Sequence, residues 1–258
     1  MLAEERKARI VDFVNSHGAA TLSELSELLG ASESTVRRDV ESLSQTGLIV
    51  RVHGGATKLS PSNLVLVDQA SSERRTLNAA QKDAVGRLAA SLVGPDDFVY
   101  LDAGTTTAAL VEHLSETRAT FMTNSLPIAQ RLLQRGCRTL VPAGEVKPVT
   151  EAIVGEVAVE SLRSYNFTIG FFGTNGADVR TGFTTPELSE ASVKRCALEH
   201  TLHPIVLCDA SKFSKVSLVT FADFGSASII CDHAPDDVRA AMAEAQQRKA
   251  TIELVEVA

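Results

Sequence analysis

The sequence contains no apolar run of about 18 residues, the length that crosses a membrane as a helix. Its opening residues, MLAEERKARI, mix acids with bases and lack the short apolar stretch of a secretory signal. A cytoplasmic protein with no membrane partner is therefore expected. Cysteine is scarce: Cys137, Cys196, Cys208 and Cys231 stand far apart, with no Cys-x-x-Cys pair. That spacing argues against zinc ribbons and disulfide scaffolds and predicts free, buried thiols. The six histidines (His17, His53, His113, His200, His203 and His233) form no His-Glu-x-x-His motif and no Cys/His cluster, so no metal is expected. His200 and His203, just before Pro204, read as partners for the dipole at a helix C-terminus. Neither Gly-x-x-x-x-Gly-Lys-Ser/Thr nor Gly-x-Gly-x-x-Gly occurs, which removes the common nucleotide loops, and no cofactor is expected.

Positive charge is also in deficit. The 258 residues carry a formal charge of −7. An evenly spread negative charge would repel nucleic acid, but electrostatic footprints are local. Residues 1–58 hold seven Lys/Arg against eight Asp/Glu, whereas residues 34–58 hold Arg37, Arg38, Arg51 and Lys58 against only Asp39 and Glu41, with His53 beside them. Basic charge thus gathers after Ser34. Apolar content of 44% suffices for a core, and the length suits one large domain or two ordinary ones.

The first sixty residues predict three helices and a hairpin. The first helix, from Ala3 to Ser16, spaces Ile10, Phe13 and Val14 on one face and stops at His17-Gly18. The second opens on the capping-box pattern Thr21-Leu-Ser-Glu24, gathers Leu22, Leu25, Leu28 and Leu29 on one face, and ends at Gly30. The third runs from Ser32 to Thr46 and stops at Gly47. At roughly 100° per residue, Val36, Val40 and Leu43 make its inward stripe, which turns Ser34, Arg38, Glu41 and Gln45 outward and leaves Arg37 on the flank. Arg and Gln can read base edges, and Ser32, Ser34 and Thr35 sit where a helix N-terminus favours a phosphate. Asp39, beside the buried stripe, is assigned a structural role. Leu48–Val52 is β-prone, and Gly54-Gly55 signals a turn, which predicts a wing carrying Arg51 and His53.

Residues 58–76 mix Ser, Pro and Asn with the apolar run Leu64–Val67, which reads either as a shielded strand or as a dimer contact. A helix over Asn78–Leu92 with Val85, Leu88, Ala89 and Leu92 inward follows. β and α patterns then alternate, predicting a largely parallel sheet from strands Phe98–Leu101, Thr120–Met122, Thr139–Val141, Phe167–Phe172, Ile205–Cys208, Ser228–Cys231 and Ile252–Val255. Ligands of such sheets bind at the carboxyl ends of strands. Polar residues gather there: Asp102 and Gly104-Thr105-Thr106-Thr107; Thr123-Asn124-Ser125; Gly144, Lys147 and Glu151; Gly173, Asn175 and Gly176; Glu187 and Lys194; and Lys212 after Asp209. Gly104–Thr107 reads either as a cradle for one phosphate or as simple N-capping. Together these ends suit a small polyhydroxylated anion.

The pattern over residues 4–56, above all STVRRDV and RVHGGA, resembles the DeoR-type bacterial transcription regulators. LDAGTTT, TNS, GTNGAD and DASKF resemble the sensor domain of the same family, which is itself similar to sugar-phosphate isomerases. The resemblance implies a winged helix-turn-helix over 1–57, a linker over 58–76 and an α/β sugar-phosphate-sensing domain over 77–258. It places Arg37 and Arg38 on the recognition helix and His53-Gly54-Gly55 in the wing. It gives the phosphate to Gly104–Thr107 and surrounds the sugar with Thr123–Ser125, Asn175, Glu187 and Lys194. TEAIVG, GFTTPE and KVSLVTFAD look most like fructose-operon repressors, which implies fructose 1-phosphate as effector. The expected partners are double-stranded operator DNA, that sugar phosphate and further copies of the chain, as dimer or tetramer. The rival reading is a sugar-phosphate isomerase or deaminase with a DNA-binding extension. Asp102, Glu145, Glu151 and Glu187 could serve as its base, but Asn175-Gly176-Ala177-Asp178 stands where the isomerase motif resembles Asp-Gly-Ala-Asp, and an amide accepts no proton. A regulator rather than an enzyme is expected.

Overall fold

The computed structural model describes residues 3–45, 48–52, 54–58, 64–65 and 71–257. The chain divides into two compact units, Met1–Leu64 and Val65–Ala258. Thr46-Gly47, His53, the side chain of Gln45 and most of 58–70 lie outside the described residues.

The first unit runs α1 (Ala3–His17), β1 (Ala19–Thr21), α2 (Leu22–Leu29), α3 (Glu33–Gln45), β2 (Ile49–Val52) and β3 (Gly55–Lys58). The α2 N-terminus is closed by the full capping box: the Glu24 amide donates to Thr21 Oγ1 at 3.2 Å and the Thr21 amide to Glu24 Oε2 at 2.8 Å. Ile10, Val14, Leu22, Leu25, Leu29, Val36, Val40, Leu43, Ile49 and Ala56 form one buried cluster. Leu28, expected inside, is 37% exposed because it lies at the edge of the α2 stripe. Asp39 is buried and receives Arg6 Nε at 2.5 Å and Nη2 at 3.1 Å, which ties α1 to α3.

The wing is a three-stranded antiparallel sheet in the order β1-β3-β2, not a bare hairpin. The pattern does not predict β1, which is only Ala-Ala-Thr. Its presence gives the two wing glycines different tasks. Gly54 makes the turn at φ 77°, and its carbonyl accepts from the Leu22 amide at 2.8 Å. A Cβ on Gly55 would lie 2.1 Å from the Ala20 carbonyl oxygen, so the approach of β1 to β3 requires glycine there.

The division falls within β4 (Leu64–Val65), and the first helices of the second unit are α4 (Ser71–Thr76) and α5 (Ala79–Ser91). Then follow β5 (Phe98–Leu101), α6 (Thr105–His113), β6 (Thr120–Thr123), α7 (Leu126–Gln134), β7 (Arg138–Leu140), β8 (Glu145–Lys147), β9 (Ala152–Val154), α8 (Glu156–Leu162) and β10 (Phe167–Gly173). The chain continues through β11 (Gly176–Asp178), β12 (Gly182–Thr185), α9 (Leu188–Glu199), β13 (Thr201–Leu207), β14 (Val216–Ser217), β15 (Val219–Ala222), β16 (Ser228–Cys231), α10 (Asp236–Arg248) and β17 (Leu254–Glu256).

Seven strands form one sheet in the order β17-β16-β13-β10-β5-β6-β7, and every pairing in it is parallel. Alternate residues pack to opposite faces. Val99, Leu101, Phe121, Ile169 and Phe171 join Val85, Leu110 and Ile128 of α5, α6 and α7. Tyr100, Met122, Phe172 and Val206 join Leu162, Ala191 and Met242 of α8, α9 and α10, with Phe167 added at the start of β10. Burial on both faces explains why these strands read as continuous apolar runs. Leu92, expected inward, is 45% exposed because α5 ends at Ser91. His203 belongs to strand β13 rather than to a helix end; only His200 caps α9. The four cysteines are buried and unbridged, and burial pushes the Cys231 thiol up to about 12. Among the described residues no helix is long and apolar enough to cross a membrane.

At the β17 edge, Glu256 Oε1 accepts the Ala234 amide at 2.7 Å and Arg239 Nη2 at 2.8 Å. Chiefly through the Arg239 hydrogen bond, its carboxyl is lowered from an ordinary 4.5 to about 2. A lowered folded value adds stability that is present above the ordinary value and lost as pH falls through the folded one. Between pH 4.5 and about 2, wild type therefore loses stability that Glu256→Gln does not, and acid titration of the unfolding midpoint shows a flatter profile for the variant. Gly55→Ala is expected to destabilise the first unit by about 1–3 kcal/mol through backbone overlap, read by urea denaturation; unchanged stability would show that β1 can move aside.

Candidate functional site

Two regions carry the polar residues expected to act. On α3, Ser34, Arg37, Arg38 and Glu41 are exposed, opposite the buried Val36, Val40 and Leu43. Neither arginine has an acidic partner among the described residues. The hydroxyls at the head of α3 are turned on one another: Ser32 Oγ lies 3.0 Å from Ser34 Oγ and 2.9 Å from Thr35 Oγ1, and the Ser32 carbonyl accepts from the Thr35 and Val36 amides at 2.9 and 3.0 Å. Ser32 thus caps the helix. Arg51 and Gly54 are exposed on the wing, and Arg51 Nη1 lies 3.3 Å from Glu41 Oε1. Gln45 and His53 were expected on this face, but the Gln45 side chain and His53 fall outside the described residues.

In the second unit the topology makes a crevice. From β5 the chain moves outward to β6 and β7, then returns to the other side of β5 as β10. Loops leaving β5 and β10 diverge, and such a switch point is where open α/β sheets bind ligands. A cavity of about 230 Å³ lies there. Its walls are Ala103–Thr106 at the head of α6, Gly173–Asn175 after β10, Asp209, Ser211 and Lys212 after β13, Glu190 and Lys194 of α9, and Arg74, Leu77, Asn78 and Lys82 of the lead-in through α4 and α5.

Seven expected residues line it: Gly104, Thr105, Thr106, Gly173, Asn175, Lys194 and Lys212. Asp102 lies behind them. It is 1% exposed, and its Oδ2 accepts the Lys194 ammonium and, at 3.0 Å, the Gly173 amide. Burial holds the Asp102 carboxyl above its ordinary value, and the Lys194 ammonium offsets only part of that. Lys194 also donates to the Gly173 carbonyl at 3.1 Å, so one ion pair joins β5, β10 and α9. Burial works to raise the Glu190 carboxyl, but Lys194, Lys147 and the Thr150 hydroxyl outweigh it and hold Glu190 below its ordinary value.

The remaining expected residues do not line the cavity. Thr107 is buried and donates to the Asp102 and Gly104 carbonyls at 2.7 and 2.8 Å, which locks the loop from inside. The Thr123-Asn124-Ser125 motif is also structural. Thr123 Oγ1 accepts the Ser125 amide at 3.1 Å, and Ser125 Oγ caps α7. Asn124 Oδ1 accepts the Ala103 amide at 3.0 Å while its Nδ2 donates to the Ile153 carbonyl at 3.2 Å. Asn124 therefore sets the Gly104 loop without reaching the cavity. Gly144 packs against Ile153 and Ala158, Glu151 is exposed in the turn of the β8–β9 hairpin, and Gly176 is packed under Lys215 in β11. Lys147 lies behind Glu190, pairing with it at 3.0 Å and with the half-exposed Glu187 at 2.9 Å.

Arg74, Asn78, Lys82 and Thr174 line the cavity without having been expected there, and Glu190, Asp209 and Ser211, which the sequence places only near the polar strand ends, line it too. Lys82 had a legible signal: it shares the i, i+3, i+7 face of the buried Val85 and Ala89. Its ammonium donates to the Leu77 carbonyl at 2.7 Å and to the Arg74 carbonyl, and burial lowers its pKa against the opposing pull of Asp209. Asn78, left-handed at φ 51°, donates to Asp209 Oδ1 at 2.9 Å. The lining holds four cations (Arg74, Lys82, Lys194 and Lys212) against Glu190 and Asp209, with a helix N-terminus added. That balance suits an anion, and the volume is below the roughly 300 Å³ at which drug-sized pockets begin. Among the described residues no group of three potential metal ligands exists.

Removing Lys194 strands a buried carboxylate. Lys194→Met is expected to cost about 3–5 kcal/mol in urea denaturation. Adding Asp102→Asn should recover most of it, and a double variant as unstable as the single would show that Lys194 acts by packing alone.

Comparison with known proteins matches residues 6–62 to the DeoR-like helix-turn-helix domain and residues 77–233 to the DeoR C terminal sensor domain. The chain is 37% identical over 237 residues to an uncharacterized HTH-type transcriptional regulator FruR of Bacillus subtilis (strain 168), covering 92% of this chain and 93% of that one. It is 30% identical to a lactose phosphotransferase system repressor of Staphylococcus aureus (strain N315), covering 92% and 95%. Among solved structures, ribose 5-phosphate isomerase A from Methanocaldococcus jannaschii aligns with 53% of this chain and 55% of its own, at 17% identity and a TM-score of 0.39. The sorbitol operon regulator SorC from Klebsiella pneumoniae aligns over 80% and 88%, at 14% identity and a TM-score of 0.37. With both domains matched in order and relatives similar along nearly the whole chain, the protein belongs to the DeoR family of transcriptional regulators.

Proposed function

We propose that the chain is a repressor of sugar-metabolism genes that works in the cytoplasm as a homo-oligomer, and that a phosphorylated sugar, fructose 1-phosphate, sets its affinity for operator DNA. The names of its relatives, a transcriptional regulator and a repressor of a lactose phosphotransferase system, support the class. The observation that carries the effector is the cation-rich cavity against the head of α6, in the unit that follows the DNA-reading unit. In this reading Arg37 and Arg38 meet base edges or phosphates, and Gly104–Thr106 with Lys212 take the phosphate. Lys194 and Asn175 face the sugar. A winged domain reads only a few base pairs, so paired copies supply the site length.

The cavity also offers a route for the response. The chain enters the sensor unit through α4, and Arg74, Leu77 and Asn78 of that lead-in form part of the cavity wall. A ligand there touches the segment that continues toward the DNA reader. The regulator reading is also favoured over a catalytic one by the acids present. Asp102 is bound to Lys194, Glu187 and Glu190 are bound to Lys147, and Asn175 offers an amide.

Fluorescence anisotropy tests the reading with a duplex from DNA upstream of the protein's own operon, at fixed salt. Fructose 1-phosphate should change the affinity about 5–150-fold, a coupling of about 1–3 kcal/mol. Arg38→Ala should weaken operator binding by about 1–3 kcal/mol. Thr106→Val should keep DNA binding and lose the response. A sugar response of wild-type size in Thr106→Val would remove the α6 head from the effector site, and operator binding unaffected by Arg38→Ala would remove α3 from the DNA.

A further inference from the structure

The outward strip of α3 contains a carboxylate. Ser34, Arg38 and Glu41 follow one another at i, i+4 and i+7, all exposed, on the side away from Val36, Val40 and Leu43. An acid in the middle of a DNA-reading strip faces a polyanion, which is unfavourable unless something compensates it. The structure supplies the compensation from the wing. Arg51 Nη1 of β2 lies 3.3 Å from Glu41 Oε1, with the two side chains 47% and 49% exposed. The wing is stitched to the same helix nearby: the Arg51 amide donates to Ser44 Oγ at 3.4 Å, and the Leu48 amide to the Leu43 carbonyl at 3.1 Å. Arg51 is thus delivered to Glu41 by the backbone and does not depend on a chance encounter of long side chains.

An exposed ion pair contributes little to stability. Its consequence lies in where it puts charge. Arg37 and Arg38 are free to meet DNA, whereas the third exposed arginine of this surface is spent within the protein. Giving Arg51 to a phosphate would leave Glu41 bare against the backbone. We infer that Glu41 is a specificity-determining residue: it holds Arg51 of the wing away from DNA phosphates and so keeps sequence-independent binding weak. Binding then leans on Arg37, Arg38 and Ser34, which reach base edges only on the right sequence. In a chain of net charge −7 with few cations on this face, the withdrawal of one is a large fraction of the non-specific attraction.

The inference rests on α3 being the DNA-reading helix, and the test separates the two. Anisotropy is measured on the full-length protein with a random-sequence duplex of about two helical turns, over a salt series. Each phosphate neutralised adds about 0.9 to the slope of log K against log salt. Glu41→Gln should steepen the slope by about 0.9 and raise random-duplex affinity about tenfold near 0.1 M salt. In an Arg51→Gln background the same substitution should not steepen it, and the double variant should match wild type. Preference for the upstream duplex over the random one should fall in Glu41→Gln. An unchanged slope in Glu41→Gln overturns the inference, as does equal steepening with and without Arg51, which would mean that Glu41 acts by its own charge. If the unsubstituted protein shows no salt-dependent binding, the assignment of α3 fails and the inference fails with it. All variants lie on the exposed face, and thermal melts confirm that they fold.

Discussion

The buried ion pair between Asp102 and Lys194 is the contact on which the sensor unit's arrangement depends. A carboxylate at the end of a central strand, 1% exposed, cannot stay charged without a partner. Lys194 reaches it from α9 and takes the Gly173 carbonyl as well, while Asp102 takes the Gly173 amide. The ends of β5 and β10 are thereby fixed at the point where the chain reverses direction across the sheet. The cavity follows from that spacing, because the loops that leave these strands must part. Glu190, one turn before Lys194, carries the same network outward to Lys147 and the β8–β9 hairpin. Charge that looks like a ligand set in the sequence is thus largely the frame that holds the cavity open.

This explains which parts of the site were legible. All seven strands of the main sheet were readable: the inner ones because a strand covered on both faces is an apolar run such as FVYL or FTIGFF, the edge strands β7 and β17, which are less covered, from shorter β-prone stretches. The antiparallel sheet β11-β12-β15 and the β8–β9 hairpin were not, since Gly176–Asp178 and Glu145–Lys147 carry too few apolar residues to show a period. Gly104–Thr106, which line the cavity, were readable as a polar strand end. Thr123-Asn124-Ser125 looked equivalent but is structural, because hydroxyls and amides that cap a helix have the same composition as those that bind an anion. Arg74 and Asn78 were missed for a different reason: they reach the cavity only by tertiary folding of the lead-in across it.

In the first unit the three helices and the β2–β3 hairpin were readable, and the element that the pattern did not show was a strand. β1 spans three residues and has no pattern, yet it decides why the wing carries two glycines. Gly54 bends the chain, and Gly55 admits the neighbouring backbone. Both wing glycines serve geometry, so the chemical character of this surface falls to Arg37, Arg38, Glu41 and Arg51.

The two units share a way of handling charge. In the sensor unit, Lys147, Lys194 and Lys82 are held by acids or carbonyls, and the lining adds Arg74, Lys212 and the head of α6. On the outward face of α3, Arg51 is held by Glu41, while Arg37 and Arg38 have no acidic partner among the described residues. Discrimination requires this restraint. A surface with every cation free binds any polyanion, because Coulomb attraction carries no sequence information. A cavity with every cation free would likewise favour any phosphate over the right sugar. A ligand can shift the protein between two states only by its difference in affinity for them. Lys82 stands at the cavity wall with its ammonium already committed to the Arg74 and Leu77 carbonyls, so those contacts fix the lead-in segment against the cavity.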